Sequence, residues 1–489
     1  MAVPPYVELR ARSAFSFLEG ATLPEDLVDR AATLGYSALA LGDRDGLYGA
    51  PRFYHAARAA GIKPLVGAEV SLEDQSRLYL LAAHRAGYQN LCRLITAAKL
   101  RPLNEDASAP IYPAKGEGRV RLEDLERFGA GLVCLAGGAR SPISRLLLQG
   151  LDPRPLCARL SAAFGRGNLY LDLQRHLDPD QERLNRRLLA LAQASALPIV
   201  ATNDVCHGGR ERALLDVLSC IRMKTTLDGA GRALWINHER HLKAPAEMAA
   251  LFADLPQALS ATHELAARLE FTLADLGYRF PDYPLPPGQT PDSYLRLLTC
   301  AGARERWGTR VGPRVRQQLE HELALIAKLK LAGYFLIVWD IVQFCREHNI
   351  LAQGRGSAAN SAVCYALGIT AVDAVGMELL FERFLSEERG EWPDIDLDLP
   401  SGEQRERVIQ YLYRRYGSRG AAMTANVLTY RTRSAVREVG KVLGLAPEQI
   451  ESPSWPGPTN FAMTATSWRR CWRPAAWISP PRASGCWWN

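Results

Sequence analysis

Gln353-Gly354-Arg355-Gly356-Ser357-Ala358-Ala359-Asn360-Ser361, followed by Pro393-Asp394-Ile395-Asp396-Leu397-Asp398-Leu399, is the stretch on which the reading of this chain turns. In an extended strand, alternate residues share a face. Asp394, Asp396 and Asp398 then form a row on one side, with Ile395, Leu397 and Leu399 on the other. Three carboxylates in a row repel one another and weaken any ordinary strand. A divalent cation reverses that local electrostatics, so the row reads as a set of hard oxygen ligands for Mg²⁺. Upstream, Gly354 and Gly356 allow close backbone approach, and Ser357 is placed to cap a helix over 358–367. Backbone N–H groups at that helix start, with Arg355 beside them, suit a phosphate. A phosphate cradle followed by a metal-holding strand predicts phosphoryl or nucleotidyl transfer. A glycine turn followed by an acidic surface strand is the plainer alternative.

The runs Gly333-Tyr334-Phe335-Leu336-Ile337-Val338, Gly354-Arg355-Gly356-Ser357, Leu380-Phe381-Glu382-Arg383-Phe384-Leu385 and Pro393-Asp394-Ile395-Asp396 resemble the palm of bacterial C-family DNA polymerases. These are the alpha subunits of the replicative polymerase and their error-prone relatives. Ala358-Ala359-Asn360-Ser361 resembles the error-prone, damage-tolerance branch more closely. The resemblance covers about residues 6–450. It implies template-dependent addition of dNTPs to a primer 3′-OH in replication, repair and translesion synthesis. Two Mg²⁺ would be held by Asp394 and Asp396, with Asp398 a flanking acid. Gly354, Arg355, Gly356, Ser357 and Arg383 would contact nucleotide phosphates. Primer–template DNA is the implied partner, and the full-length family also meets a sliding clamp and mutagenesis accessory proteins.

Bulk properties leave that reading open. The chain has 489 residues, enough for two or three domains. Lys and Arg number 59 against 52 Asp and Glu, and a net charge of +7 permits nucleic acid contact without demanding it. Ten cysteines lie scattered with no Cys-x-x-Cys pair, which excludes a recognisable disulfide or zinc framework. No signal architecture and no membrane-length apolar run is present, so a cytoplasmic location is expected.

Before the palm-like stretch, apolar runs at 37–41, 63–70, 78–83, 132–136, 169–173 and 198–201 read as strands, separated by helical segments. One such helix, 22–34, carries a possible capping box from Thr22 to Glu25 and Gly35 as terminator. Alternation of this kind predicts a largely parallel sheet or a barrel. The block resembles a PHP domain, the distorted barrel that opens C-family polymerases. Active PHP domains bind metals through His-x-His, Asp-His and Asn-Asp-Val-His motifs. Here those positions read Arg10-Ala11-Arg12, Asp43-Arg44 and Asn203-Asp204-Val205-Cys206. Arginine is no metal ligand. Asp43, Glu69, His176 and Asp204 would make at most a remnant site, with Arg10, Arg12 and Arg44 pairing with those carboxylates in place of the metal.

The expected fold class is α/β: an N-terminal PHP-type distorted (β/α) barrel, then an incomplete α+β polymerase palm. The expected divisions are 1–280 for the PHP-like domain, 281–290 for a proline-rich linker, 291–428 for a partial palm and 429–450 for the start of a thumb. Residues 451–489 hold six of the ten tryptophans among Arg, Pro and Ser without helical or strand period, and read as an out-of-frame tail after a frameshift. Such a chain is expected to show negligible primer extension. Two other functions remain: a PHP-type metal-dependent phosphoesterase, and a non-catalytic fragment binding DNA or partner proteins.

Overall fold

The computed structural model describes residues 5–101, 116–209, 212–274, 276, 281–386, 393–424 and 426–450. The expected tail therefore lies outside the described residues. Two compact units divide the chain: Met1–Leu276 with Thr429–Asn489, and Gly277–Leu428.

In the first unit, six strands form one sheet in chain order: β1 (Ala38–Arg44), β2 (Lys63–Ser71), β3 (Arg77–Ala82), β4 (Leu132–Leu135), β5 (Leu169–Leu173) and β6 (Ile199–Ala201). All six apolar runs are strands, and most are buried on both faces, as strands covered by helices must be. The sheet is mixed rather than largely parallel. β2–β3 and β3–β4 pair antiparallel, the other three pairs parallel. The 72–76 connection is too short for a crossover, so β3 turns back as a hairpin.

The extended N-terminal segment closes the curl. Glu8 bridges Leu39 beside β1, and Ala11 bridges Val205 beyond β6. Arg10 and Arg12 are thereby carried into the interior of a distorted barrel, where both are buried. Side chains alternate between two apolar sets along the sheet. Leu39, Leu41, Leu78 and Leu80 join the helices outside, while Ala38, Ala40, Tyr79 and Leu81 join Val7, Leu9 and Leu265. The Pro24–Thr33 helix begins with proline and two acids and ends before Gly35 at φ 78°. Thr22 caps nothing there; its hydroxyl accepts from the Gly208 N–H at 2.8 Å instead.

The second unit is mostly helical. Helices Pro291–Trp307, Pro313–Lys328 and Ala332–Glu347 surround a core of Leu295, Leu319, Leu323, Ile326, Phe335, Phe381 and Phe384. Its sheet, among the described residues, is the antiparallel pair β7 (Gln353–Arg355) and β8 (Asp396–Asp398). Gly333 lies inside Ala332–Glu347; the break from the preceding helix is at Lys330, φ 57°.

Candidate functional site

The glycine loop and the acidic strand are hydrogen-bonded neighbours. β7 pairs with β8 so that Gln353 faces Asp398, Gly354 faces Leu397 and Arg355 faces Asp396. The Gly354 N–H donates to the Ile369 carbonyl at 2.7 Å, and a Cβ there would sit 2.6 Å from that oxygen. Only glycine lets the strand lie so close. Gly356 turns the chain at φ +70°, and a Cβ on it would lie 3.8 Å from Asp396 Oδ2, so the turn faces that carboxylate. Asp394, Asp396 and Asp398 are exposed while Ile395, Leu397 and Leu399 are half-buried, the alternation expected of a strand with one covered face. Tyr334 OH, accepting from the Ile395 N–H at 2.9 Å, fixes the strand's entry.

Arg355 relieves the carboxylate row in the structure. Its Nε donates to Asp398 Oδ1 at 2.8 Å, and Nη1 lies 3.4 Å from Asp396 Oδ2. The hydrogen bond to Asp398, then the charges of Asp398 and Asp396, raise the Arg355 guanidinium above its ordinary value. Arg383 is exposed at the end of the short Phe381–Arg383 turn, anchored by buried Phe381 and Phe384.

The helix expected from Ala358 under a Ser357 cap is absent. Gly356–Asn360 is a 3₁₀ turn, and the helix is the single turn Ala362–Ala366, capped by Ser361. Glu322, fully buried on the Pro313–Lys328 helix, sets that start. Its carboxylate accepts from the Ala362 N–H (2.9 Å), the Val363 N–H (3.0 Å) and the Ser361 hydroxyl (2.7 Å). The amides at the start of the observed helix are therefore taken by a protein carboxylate, against which burial works by raising its pKa. Ser357 is half-buried, its carbonyl accepting from Asn360.

The second candidate site is the barrel interior. Arg10 reaches Glu69 at 2.8 Å, Asp172 at 2.9 Å and Asp204 at 3.1 Å. Arg12 pairs with Asp204 and, at 3.3 Å, with Glu69; Arg240 also holds Asp204. Burial alone would raise the Asp204 pKa, but Arg12, Arg240 and Arg10 together hold it well below the ordinary range. Glu69 is lowered likewise, burial being outweighed by Arg12, Arg10 and Arg77. Asp43 is held differently, by the Ser13 N–H and the hydroxyls of Ser13 and Ser16, and burial raises it. Arg44 was expected on these carboxylates; it pairs instead with Glu19 at 2.6 Å.

His176 has both ring nitrogens engaged. Its own N–H donates to Gln181 Oε1, so Gln181 Nε2 donates to Nδ1 at 2.9 Å, and Nε2–H donates to the Asn203 carbonyl at 2.9 Å. Burial, with the Arg240 charge, pushes its pKa down to about 3. Asp43, Glu69, His176 and Asp204 are thus each held by protein partners, and among the described residues no three His, Cys, Asp or Glu side chains gather to hold an ion. Glu19, Arg77 and Arg240 were missed, because no motif marks residues that meet only through the barrel's closure. Glu322 had a signal: it shares a helical face with Leu319, Leu323 and Ile326, where a carboxylate needs partners.

Comparison with known proteins follows this division. Residues 8–176 match the PHP domain, and residues 293–468 match the Bacterial DNA polymerase III alpha NTPase domain. Curated relatives include an error-prone DNA polymerase of Mycolicibacterium paratuberculosis, 44% identical over 93% of this chain and 42% of that protein. Another is an error-prone DNA polymerase of Dechloromonas aromatica, 42% identical over 92% of this chain and 42% of its own length. The chain spans about two fifths of the length of these relatives. A solved structure described as a candidate metal-dependent phosphoesterase, from Bifidobacterium adolescentis, covers 41% of this chain and 88% of its own at 19% identity, with a TM-score of 0.29. The chain matches the C-family error-prone DNA polymerases, with a PHP domain followed by part of the polymerase alpha domain.

Proposed function

We propose, from this match to the error-prone C-family polymerases, that the chain carries part of a centre adding dNTPs to a primer 3′-OH on a DNA template. The observation that carries the proposal is the placement of Asp396 on β8 facing the Gly356 turn, with Asp394 exposed beside it. Polymerases of this kind use divalent metal ions. Mg²⁺ binds through one or two carboxylates plus substrate phosphates, and two exposed aspartates on one face fit that donor set. Asp394 and Asp396 would hold it, and the ion when bound lowers the charge cost of phosphoryl transfer.

The protein's own part is positional. The Ile395 contact to Tyr334 and the half-buried Leu397 hold the carboxylates outward. Gly356 leaves space beside Asp396 while Gly354 lets the strand lie against the Ile369 carbonyl, and Arg355 exchanges Asp396 and Asp398 for a triphosphate oxygen when nucleotide arrives. Ser357 and Arg383 flank that space as further phosphate contacts. DNA and dNTPs are the proposed substrates, the cytoplasm the proposed location, and a sliding clamp and mutagenesis proteins the proposed partners. No helix among the described residues is long and apolar enough to cross a membrane. A phosphoesterase at the barrel centre is disfavoured because Arg10 and Arg12 occupy its carboxylates.

Manganese paramagnetic resonance tests the assignment. Mn²⁺ is expected to bind more tightly when dNTP is present, and Asp394→Ala with Asp396→Ala is expected to abolish that gain. Equal dNTP-dependent binding by the double variant refutes it.

A further inference from the structure

Asp340 stands out in the helix Ala332–Glu347. It is the one acid there before Glu347, and it is buried on a helix whose Phe335, Leu336, Val338, Val342 and Cys345 are buried too. A carboxylate in such surroundings needs partners. Its side-chain partners among the described residues all come from one element, the helix Glu403–Gly420 that follows β8. Tyr411 donates its hydroxyl to Asp340 Oδ2 at 2.6 Å and Tyr416 donates to the same oxygen at 3.0 Å, while Arg415 Nε lies 3.4 Å from it. Burial first, then Asp340, raises both tyrosines above their ordinary range, so each stays protonated and able to donate.

Packing reinforces the same join. Phe344, one turn on from Asp340, stacks on the Tyr411 ring with centroids 4.0 Å apart and planes 10° from parallel. Val408 clusters with Cys345 and Ile350, and Leu399, the residue after β8, packs against this cluster. Residues 399–402 alone separate β8 from Glu403, so the place of the helix decides where the strand leaves. At the other end of the strand, Tyr334 OH accepts from the Ile395 N–H. Tyr334 and Asp340 belong to the same helix, which therefore holds β8 at its entry directly and at its exit through Tyr411 and Tyr416.

We propose that Asp340 is a positioning residue for the β8 carboxylates, fixing the strand's exit by drawing Tyr411, Tyr416 and Arg415 onto one buried charge. Its consequence for metal rests on the reading of Asp394 and Asp396 as ligands; its consequence for the strand does not. Asp340 touches neither metal nor nucleotide in this arrangement. It acts by keeping two neighbouring side chains in the geometry that a shared ion demands.

Two readouts on the full chain test this: hydrogen exchange in peptides covering 394–399, and Mn²⁺ affinity by paramagnetic resonance with dNTP present. Asp340→Asn is expected to speed exchange in 394–399 about tenfold, the loss of a hydrogen bond to a charged group, and to weaken Mn²⁺ binding several-fold. Tyr411→Phe with Tyr416→Phe keeps the rings and removes only the hydroxyls, and should reproduce both effects. Adding Asp340→Asn to that pair should then change little, because the same bonds are already gone. Peptides covering 319–326, in the core of the unit, should exchange as in the unaltered chain. Unchanged exchange in 394–399 overturns the proposal, as does an equal rise in 319–326. Faster exchange in 394–399 with Mn²⁺ affinity unmoved also overturns it, since the carboxylates would then be placed without Asp340. An unaltered chain that binds no Mn²⁺ would refute the metal reading instead, and exchange would still decide whether Asp340 fixes the strand.

Discussion

Arg10 brings one positive charge to Glu69, Asp172 and Asp204 at once. Removing one member of a buried ion cluster leaves its partners charged and unpaired, which costs more than the cluster contributes. Arg10→Met is expected to destabilise the first unit by about 3–5 kcal/mol, read from urea unfolding followed by hydrogen exchange. The pH dependence follows from the same pairs. Glu69 and Asp204 have folded pKa values below their unfolded ones, so the folded state binds fewer protons than the unfolded state in that window. Their stabilisation is present above the ordinary carboxylate range, near pH ~4, and is lost as pH falls below it. Stability of this unit should drop steeply on acidification, and Arg10→Met should flatten the slope. A slope unchanged in the variant would contradict the assignment. Part of this was legible in the residues: Arg10 and Arg12 were expected to pair with the barrel carboxylates and do, whereas Arg44, expected with them, pairs with Glu19. Which carboxylate each arginine takes was not, because Glu19 and Asp172 come close only when the N-terminal segment bridges both ends of the sheet.

At the level of elements, alternation along 394–399 was enough to read one acidic strand face, whereas the glycine stretch was read as a loop opening a helix and its pairing as β7 with β8 was not anticipated. The start of the following helix was misread, because Ser357 and Ser361 are equally good caps by sequence and the choice is made by Glu322, distant in the chain. The short 72–76 connection made β3 antiparallel where an alternating pattern suggested otherwise. Glu322 links the core of the second unit to the glycine loop, so its loss should be felt there. Glu322→Ala leaves two backbone donors unpaired, each costing about 1–3 kcal/mol. Faster hydrogen exchange at Ala362 and Val363 is the expected result, with Glu322→Gln intermediate. Protection at both amides equal to that of the unaltered chain would show that Glu322 does not hold the loop.

Across the whole molecule, the chain leaves its first unit at Leu276 and rejoins it from Thr429. Nothing local in the sequence marks that return; it rests on contacts such as Val442 with Cys220 and Ala230, far apart in number. Each unit has a core of its own, one built on Leu39, Phe53, Val66 and Leu80, the other on Leu323, Phe335 and Phe384. Cores that share no side chains lose their cooperativity separately, whereas a single core unfolds as one. Two unfolding steps are therefore expected in urea, resolved by exchange in peptides from 38–82 and from 319–345. The variants should divide between them. Arg10→Met removes charge compensation within the barrel and should shift the first step alone; Glu322→Ala unpairs donors beside the second core and should shift only the other. If both peptides open at one midpoint, and both variants move it together, the two cores are energetically one and the division into units fails.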